Sequence, residues 1–382
     1  MQHALVVQLP PGVAQEADAA SPTVVAPPQF LAERVWHEGG AMGTHLGFAG
    51  YTDPSHDAGA LHAAFASAIL EFKRLEALMT TWNQTSEIAR LNAANFKQLL
   101  PTFGCVDIYS AETVEVLDAA VQASRASDGA FDVTFETLHG LWKFDEDLVA
   151  RPPSATAIRD RLRWVDYRRL RVDASSRVAC LDGALTHRPA RARSMKPLPP
   201  EPVGPYLTKV GLGGIAKGYA VDKAAAIIRK AGIKSFFVQA GGDLYAEGHK
   251  PDGSVWSAGI RDPRGPAGKP FASIELDGHA FSTAGDYERS YVIGKKRYHH
   301  ILDPRTGMPA SKSRSVTVWA PTAFEADAVD DAVFVMGPEK GLRYVESLPG
   351  VGAVVVDAKN RVWVSERLKG KVTLLAAPTD GV

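Results

Sequence analysis

The sequence has little cysteine and no excess of charge of either sign. Only Cys105 and Cys180 occur among the 382 residues, too few for a disulfide framework, a structural zinc site or an iron–sulfur cluster held by thiolates. We therefore expect the hydrophobic core alone to hold the fold. Because 43 Lys and Arg residues balance 43 Asp and Glu residues, no basic field favours nucleic acid, and we expect no nucleic-acid partner.

Long hydrophobic runs are also lacking. No window approaches eighteen consecutive apolar residues, so the sequence predicts no transmembrane helix. The short apolar run at 5–9 is followed at once by two prolines and has no Lys or Arg before it, which makes it a poor secretory signal. We expect residues 1–32 to be a disordered leader or the remnant of an export segment, and residues 33–382 to form a single domain.

Hydrophobic periodicity and capping residues predict several helices. Apolar residues repeat at three- and four-residue steps from Leu61 to a stop near Trp82. Further helices are predicted over 110–128, 220–230 and 322–336, the last opened by a capping box in which Thr322 precedes Glu325 by three residues. Short strand-like runs fill most of the second half of the chain. The predicted fold class is therefore α+β with many antiparallel strands.

Residues 183–206 carry six prolines and a basic cluster without periodicity, which is typical of an exposed loop or linker. A domain boundary is one interpretation. We favour an insertion, because the flanking segments RLRVDASSRVACL and YLTKV both resemble strands of one sheet.

The predicted helix at 322–336 places three aspartates on one face. Asp327, Asp330 and Asp331 stand at positions i, i+3 and i+4, where like charges repel and lower helix stability. A hard divalent cation such as magnesium or calcium would offset them, because it prefers carboxylate oxygens. The alternative is a solvated acidic face paired loosely with Lys or Arg.

A glycine segment, GLGGIAKGYAVD at 211–222, leads from a strand-like run into a helix. Glycines at a helix start let backbone N–H groups approach an anion, and the helix dipole favours phosphate there. Lys217 adds a positive charge. The segment also matches the Rossmann fingerprint weakly, and a helix-start turn without any ligand remains an alternative.

Two further segments concentrate polar residues. In QAGGDLYAEG a buried strand runs into paired glycines and Asp243, which suits either close approach of a ligand or a tight turn between strands. The run at 282–310 contains His299 and His300, and one of them is a candidate general base. Strand alternation does not choose between them, and a structural histidine is the other interpretation.

Eight strings together carry a resemblance to a known family. They are GGAMGTH, MTTWNQTSEIARLN, DGAFDVTFETLHGLWKF, GGIAKGYAVDKA, AGGDLYAEG, STAGDYERSY, RYHHILDPRTGMP and EADAVDDAVFVMGPEKG. In this order they resemble the ApbE family of FAD:protein FMN transferases, from about Gly39 to Leu375. The resemblance implies an α+β, T-fold-like architecture of mixed and antiparallel sheets with helices, and an FAD cleft between helical and sheet lobes.

The resemblance also implies an activity and its residues. It implies magnesium-dependent transfer of FMN from FAD to a threonine of a target flavoprotein, with release of AMP and with His300 as the base. Implied metal ligands are Gly214, Asp327, Asp330 and Asp331. Implied FAD-binding residues are Met42, Thr44, Trp82, Gly129, Ala130, Phe131, Asp132, Gly211, Lys217, Asp243, Gly285, Asp286 and Ile301.

Four positions depart from the family's usual pattern. Trp82 replaces a tyrosine, which keeps an aromatic ring for stacking on a flavin and loses a hydroxyl. Gly211 replaces an aspartate and so removes a carboxylate from the FAD side. Asp331 stands where the family has threonine, which adds a negative charge to the metal site. Ala284 occupies a position that is often serine in the family.

The expected partner is an acceptor flavoprotein with an Asp-Gly-x-Ser/Ala-Thr segment, a subunit of a membrane electron-transfer complex. The resemblance implies a periplasmic or inner-membrane-associated location, while the sequence leaves the compartment open. Two alternatives use the same site: an FAD pyrophosphatase that yields FMN and AMP, and a non-catalytic FAD-binding protein.

Overall fold

The computed structural model describes residues 30–97, 104–144, 151–181, 208–266 and 268–381. Its α-helices are α1 (Ala58–Met79), α2 (Glu87–Lys97), α3 (Ala111–Ala126), α4 (Ala155–Leu162), α5 (Ala216–Lys230), α6 (Ala323–Met336) and α7 (Pro338–Glu346). Short 3-10 helices span Val133–Leu138, Tyr167–Arg169 and Glu366–Leu368.

The described residues also form eighteen short strands. They are β1 (Arg34–Ala41), β2 (Thr44–Tyr51), β3 (Gly104–Asp107), β4 (Leu170–Asp173), β5 (Val178–Leu181), β6 (Phe236–Ala240), β7 (Asp243–Glu247), β8 (Trp256–Arg261), β9 (Pro270–Leu276), β10 (His279–Gly285), β11 (Ser290–Ile293), β12 (Lys296–His299), β13 (Leu302–Asp303), β14 (Met308–Pro309), β15 (Ser313–Ala320), β16 (Gly352–Asp357), β17 (Val362–Val364) and β18 (Val372–Leu374).

The helices begin at the capping residues that the sequence indicates. The Ser110 side chain accepts a hydrogen bond from the Thr113 N–H, and the Thr322 side chain accepts one from the Glu325 N–H. Each cap satisfies a donor that the first helical turn leaves free. The predicted helices α1, α3 and α6 are confirmed. Helix α5 begins four residues earlier than predicted, and α2 was missed.

An eight-stranded sheet forms the centre of the fold. Its order is β1-β2-β6-β7-β10-β15-β16-β17, and all neighbouring pairs are antiparallel. The predicted α+β class is therefore confirmed. Smaller sheets have the orders β18-β9-β8, β3-β5-β4, β11-β12 and β13-β14.

The two faces of the large sheet bury different partners. Successive strand residues point to opposite faces, so Phe48 packs in the core that holds α1, α5 and α6, while Ala49 packs against β8 and β9. Phe65 of α1 stacks on Phe48 at a centroid distance of 5.6 Å. Helices thus cover one face of the sheet and the β18-β9-β8 sheet covers the other.

The small β3-β5-β4 sheet corrects two expectations. Cys105 of β3 and Cys180 of β5 are paired residues on neighbouring strands and form a disulfide, so the core does not hold the fold alone. The described part of YLTKV, residues 208–210, forms no strand. Its backbone is instead held by side chains, since Asn92 donates to the Val210 carbonyl and accepts from the Val210 N–H.

Two predicted segments, the Pro-rich insertion at 183–206 and most of the leader at 1–32, lie outside the described residues. The described residues from Ala32 onward belong to one compact unit. Among all described helices, none combines the length and the apolar character needed to cross a membrane.

The disulfide gives a stability prediction. Replacing both cysteines (Cys105→Ala with Cys180→Ala) should lower the free energy of unfolding by about 2–4 kcal/mol, because the bond constrains the unfolded chain across a long loop. Urea unfolding with and without a reductant measures this. The reductant should destabilise the parent and leave the double variant unchanged. Equal stability of the parent under both conditions would show that the bond contributes nothing.

Candidate active site

The site begins where α5 and α6 touch. A Cβ on Gly218 of α5 would lie 2.1 Å from the Ala323 carbonyl oxygen and 2.7 Å from the Asp327 Cβ. Only glycine permits this approach. The Gly218 N–H donates to Asp327 Oδ2 at 2.8 Å, so the glycine segment and the aspartate helix meet directly.

Lys217 is the positive centre of the site. Its Nζ donates to Asp243 Oδ2 at 2.7 Å and to Asp327 Oδ1 at 3.3 Å. Desolvation opposes the charge of Lys217, but these two carboxylates outweigh it and raise the pKa of Lys217 well above its usual value. The predicted residues Lys217, Asp243 and Asp327 therefore lie together, as one ion cluster.

Ser282 of β10 links Asp243 to a further carboxylate, Asp330, and sequence reasoning missed it. The Ser282 hydroxyl lies 2.5 Å from Asp243 Oδ1 and 2.7 Å from Asp330 Oδ2. Burial, followed by repulsion from Asp331 and Asp327, raises the pKa of Asp330 well above its usual range. Burial likewise raises the pKa of Asp327 to about 7.

The interpretation of α6 as a solvated acidic face is wrong for two of its three aspartates, since Asp327 and Asp330 are 2% and 4% exposed. Asp331 is the third, and it is only partly buried. Its Oδ2 lies 3.0 Å from the position of a Cβ on Gly214, and no hydrogen bond to this carboxylate occurs among the described residues. Burial also raises the pKa of Asp331 to about 6.

The backbone N–H groups of Gly213 and Gly214 have no hydrogen-bond partner within the part of the chain that the structure describes. They lie just before α5, close to Lys217 and Asp331, and are suited to accept an anion at a helix start. Within the same described ranges, no three His, Cys, Asp or Glu side chains form a ready-made metal cluster. A cation would therefore draw part of its oxygen shell from backbone and substrate.

The two histidines occupy different environments. His299 is buried, its Nε2 is within 2.8 Å of the Ala310 carbonyl oxygen, and its ring packs on Phe334. His300 is exposed and lies beyond the end of β12, so the alternation of that strand does not extend to it. Surrounding protein nevertheless desolvates its ring and, with nearby positive charge, lowers the pKa of His300 to about 4.

The turn between β1 and β2 lies beside the Asp243 turn. Met42 and Gly43 both have positive φ, 52° and 66°, which matches a two-residue hairpin. For Met42 this conformation is strained, a feature that concentrates at functional sites. The next residue, Thr44, places its Oγ1 2.6 Å from the position of a Cβ on Gly241.

The predicted turn at 129–132 packs on the glycine segment. Gly129 has φ +71°, and the Phe131 ring lies 3.2 Å from the position of a Cβ on Gly214. The Ala130 N–H donates to the Ser127 carbonyl. Asp132 is buried and accepts from Thr134 and from the Tyr167 N–H, so its carboxylate holds this turn together.

The segment around Asp286 is similarly engaged within the protein. Asp286 forms two hydrogen bonds with Arg264, at 2.6 and 2.7 Å, and both side chains are buried. Gly285 faces the Tyr287 ring, and Ile301 is buried in the main core. No local pattern indicates Arg264, which lies 22 residues before its partner.

Trp82 and Gly211 do not contact the aspartate cluster directly. The Trp82 side chain is 81% exposed and meets the His139 ring edge to face at 5.1 Å. The Gly211 N–H donates to the Val133 carbonyl at 3.0 Å, so this amide is not free for an anion. A carboxylate missed by sequence reasoning, Glu136, packs against Gly211.

The model of the ApbE family matches residues 42–355. This chain belongs to the ApbE family. The resemblance carried by the eight sequence strings is therefore confirmed.

Several ApbE-family relatives resemble the chain over most of its length. The FAD:protein FMN transferase of Klebsiella pneumoniae is 29% identical over 296 residues, covering 76% of this chain and 77% of that protein. That of Treponema pallidum is 29% identical over 327 residues and 83% of each chain. The names describe flavin transfer by those proteins.

Solved ApbE structures share the fold. The protein from Thermotoga maritima has a TM-score of 0.72 at 28% identity, covering 89% of this chain and 99% of that one. The flavinyl transferase from Pseudomonas stutzeri has a TM-score of 0.70 at 27% identity, covering 92% and 99%. The predicted ApbE-like architecture is thereby confirmed.

The contact between α5 and α6 gives a matched pair of substitutions. Gly218→Ala should lower the free energy of unfolding by about 1–3 kcal/mol or more, because the added methyl group forces the helices apart. Gly213→Ala should change it by less than about 0.5 kcal/mol, because nothing lies within 4 Å of its Cβ position. Thermal and urea unfolding of both variants measure the difference. Equal effects would contradict the close contact.

Proposed function

We propose that this protein transfers FMN from FAD to a threonine side chain of a target flavoprotein and releases AMP. The observation that carries the proposal is the convergence, near the start of α5, of Lys217, four aspartates and two N–H groups without a partner among the described residues. The names of the relatives support flavin transfer to a protein. The threonine acceptor, the magnesium ion and the release of AMP are parts of the proposal that go beyond those names.

The positive groups of the site suit the phosphates of FAD. The N–H groups of Gly213 and Gly214 lie at a helix start, where the dipole also favours negative charge. Lys217 adds a charge close by, held in place by Asp243 and Asp327. These groups would bind and orient the pyrophosphate. The exposed ring of Trp82 would stack on the flavin.

The reaction needs one proton to move. The threonine oxygen attacks the phosphorus of the FMN half, the bond from that phosphorus to the bridging oxygen breaks, and AMP leaves with that oxygen. The hydroxyl proton goes to His300. With its pKa lowered to about 4, the His300 ring is neutral at physiological pH and can accept the proton.

The residues around Gly214 fit a magnesium ion. The open carboxylate of Asp331 faces the space that a Cβ on Gly214 would fill, and carboxylate and carbonyl oxygens are ligands that this cation prefers. The predicted ligands Gly214, Asp327, Asp330 and Asp331 would hold it together with oxygens of the substrate, because no three described carboxylates form a ready-made cluster. A bound magnesium ion would offset the negative charge that develops on the leaving AMP.

The acceptor would carry an Asp-Gly-x-Ser/Ala-Thr segment and belong to a membrane electron-transfer complex. The test is incubation of the full chain with FAD, magnesium and a domain carrying such a segment, followed by intact mass and nucleotide chromatography. One FMN on the acceptor threonine with AMP release supports the proposal. Free FMN and AMP would indicate the pyrophosphatase, and unchanged bound FAD the non-catalytic protein.

His300→Ala should lower the transfer rate by about 100-fold or more and leave the dissociation constant for FAD unchanged, because only proton transfer is lost. The step in the pH–rate profile near pH 4, where His300 becomes protonated, should be present in the parent and absent from His300→Ala. Single-turnover rates and fluorescence titrations with FAD measure these effects. A rate in His300→Ala equal to the parent would remove His300 as the base.

Asp331→Asn should raise the magnesium concentration for half-maximal transfer by about tenfold, because the open carboxylate loses its charge. Glu325→Gln on the same helix is the matched control, since burial also raises the pKa of Glu325 but its neighbour is Tyr344. Magnesium titrations of all three proteins test this. An unchanged titration of Asp331→Asn would contradict the metal assignment.

A further inference from the structure

Glu136 occupies the space beside Gly211 that a side chain at position 211 would take. A Cβ on Gly211 would lie 2.9 Å from both the Cβ and the Oε2 of Glu136. The hydrogen bond from the Gly211 N–H to the Val133 carbonyl holds the 3-10 helix that carries Glu136 against the start of the glycine segment. A carboxylate thus reaches the Gly211 position from a different part of the chain.

The Glu136 carboxylate is largely buried, which disfavours its charged form. Only 14% of the Glu136 side chain is exposed. Burial is the largest cause that raises the pKa of Glu136 to about 7, and the charge of Lys209 and a hydrogen bond with Thr81 offset it only in part. His139 Nδ1 lies 3.6 Å from Oε1. A buried carboxyl group with such a perturbed pKa, packed against the start of the glycine segment, is a candidate functional group.

Glu136 lies between the segment proposed to bind the phosphates and the tryptophan proposed to stack on the flavin ring. On one side, Gly211 begins the segment that continues to the free N–H groups of Gly213 and Gly214. On the other, Thr81 precedes the exposed Trp82, whose ring contacts His139. The hydroxyl-bearing ribityl chain of FMN connects its ring to its phosphate, so a ligand spanning this distance would bring hydroxyl groups near Glu136.

We propose that Glu136 is a binding residue for FAD, and that its carboxyl group accepts a hydrogen bond from the FMN half of the molecule. This inference rests on the proposed function and deepens it. Glu136 supplies this carboxylate from the 3-10 helix, beside Gly211. It holds the flavin half between the phosphate-binding segment and Trp82, and it takes no part in proton transfer at phosphorus.

The test is a set of binding titrations with FAD, FMN and ADP on the full chain. Glu136→Leu keeps the buried volume and removes the acceptor, so the dissociation constants for FAD and FMN should rise about tenfold, as for a lost hydrogen bond. ADP lacks the flavin half, and its affinity should not change. Glu325→Leu changes a glutamate in the first turn of α6 whose pKa is also raised by burial, and this variant should bind all three ligands like the parent.

Moving the carboxylate from position 136 to position 211 distinguishes a binding role of Glu136 from a packing role. Glu136→Gly should weaken FAD and FMN binding, and Glu136→Gly with Gly211→Asp should restore it, because removing the Cβ at 136 makes room for an aspartate at 211. A merely structural role would lower the thermal midpoint of Glu136→Leu and weaken ADP and FAD alike.

The outcomes also separate this inference from the proposed function. If the parent binds FAD and transfers FMN while Glu136→Leu binds FAD equally well, the inference is wrong and the proposed function stands. If the parent itself does not bind FAD, both are wrong.

Discussion

The candidate site depends on the close approach of α5 and α6 at Gly218. The absence of a side chain there lets the Ala323 carbonyl and the Asp327 Cβ approach the α5 backbone, and the Gly218 N–H then donates to Asp327. This single contact sets the height of the aspartate helix relative to Lys217. The contact therefore brings Asp327 within hydrogen-bond distance of Lys217, and Asp330 and Asp331 follow on the same helix.

The site holds more carboxylates than positively charged side chains. Lys217 is the cation that bonds Asp243 and Asp327, while Ser282 bonds Asp243 and Asp330. Asp331 has no such partner, although burial and repulsion from Asp243 raise its pKa. Carboxylates in excess of cations cost free energy on folding, and the cost is lower when a bound cation accompanies the phosphates of a substrate.

Periodicity and capping residues predicted most of the fold. Thr322 and Glu325 mark the start of α6 because their interaction is local, and the face shared by Asp327, Asp330 and Asp331 follows from helical spacing alone. The family motifs also indicated Lys217 and Asp243, which the structure places within hydrogen-bond distance. Such predictions succeed where neighbours in sequence determine the structure.

The remainder depends on contacts between residues distant in sequence. Ser282 lies 39 residues from Asp243 and 48 from Asp330, and nothing in its local sequence shows that it bridges them. The partnership of Arg264 with Asp286 and the packing of Glu136 on Gly211 are hidden for the same reason. Cys105 and Cys180 are 75 residues apart, and their pairing requires knowledge of the strand order β3-β5-β4.

The strand order of the large sheet has a consequence for partial chains. Strands β7, β10 and β15 are consecutive neighbours in this sheet, and α6 follows β15 in the sequence, so the two halves of the site come from segments over 100 residues apart. During synthesis, Lys217 and Asp243 emerge long before Asp327. A chain that ends before β15 can pair β1, β2, β6, β7 and β10, and it keeps Lys217 and Asp243, yet it lacks all three aspartates of α6. Truncation there removes Asp327, Asp330 and Asp331 together rather than one at a time.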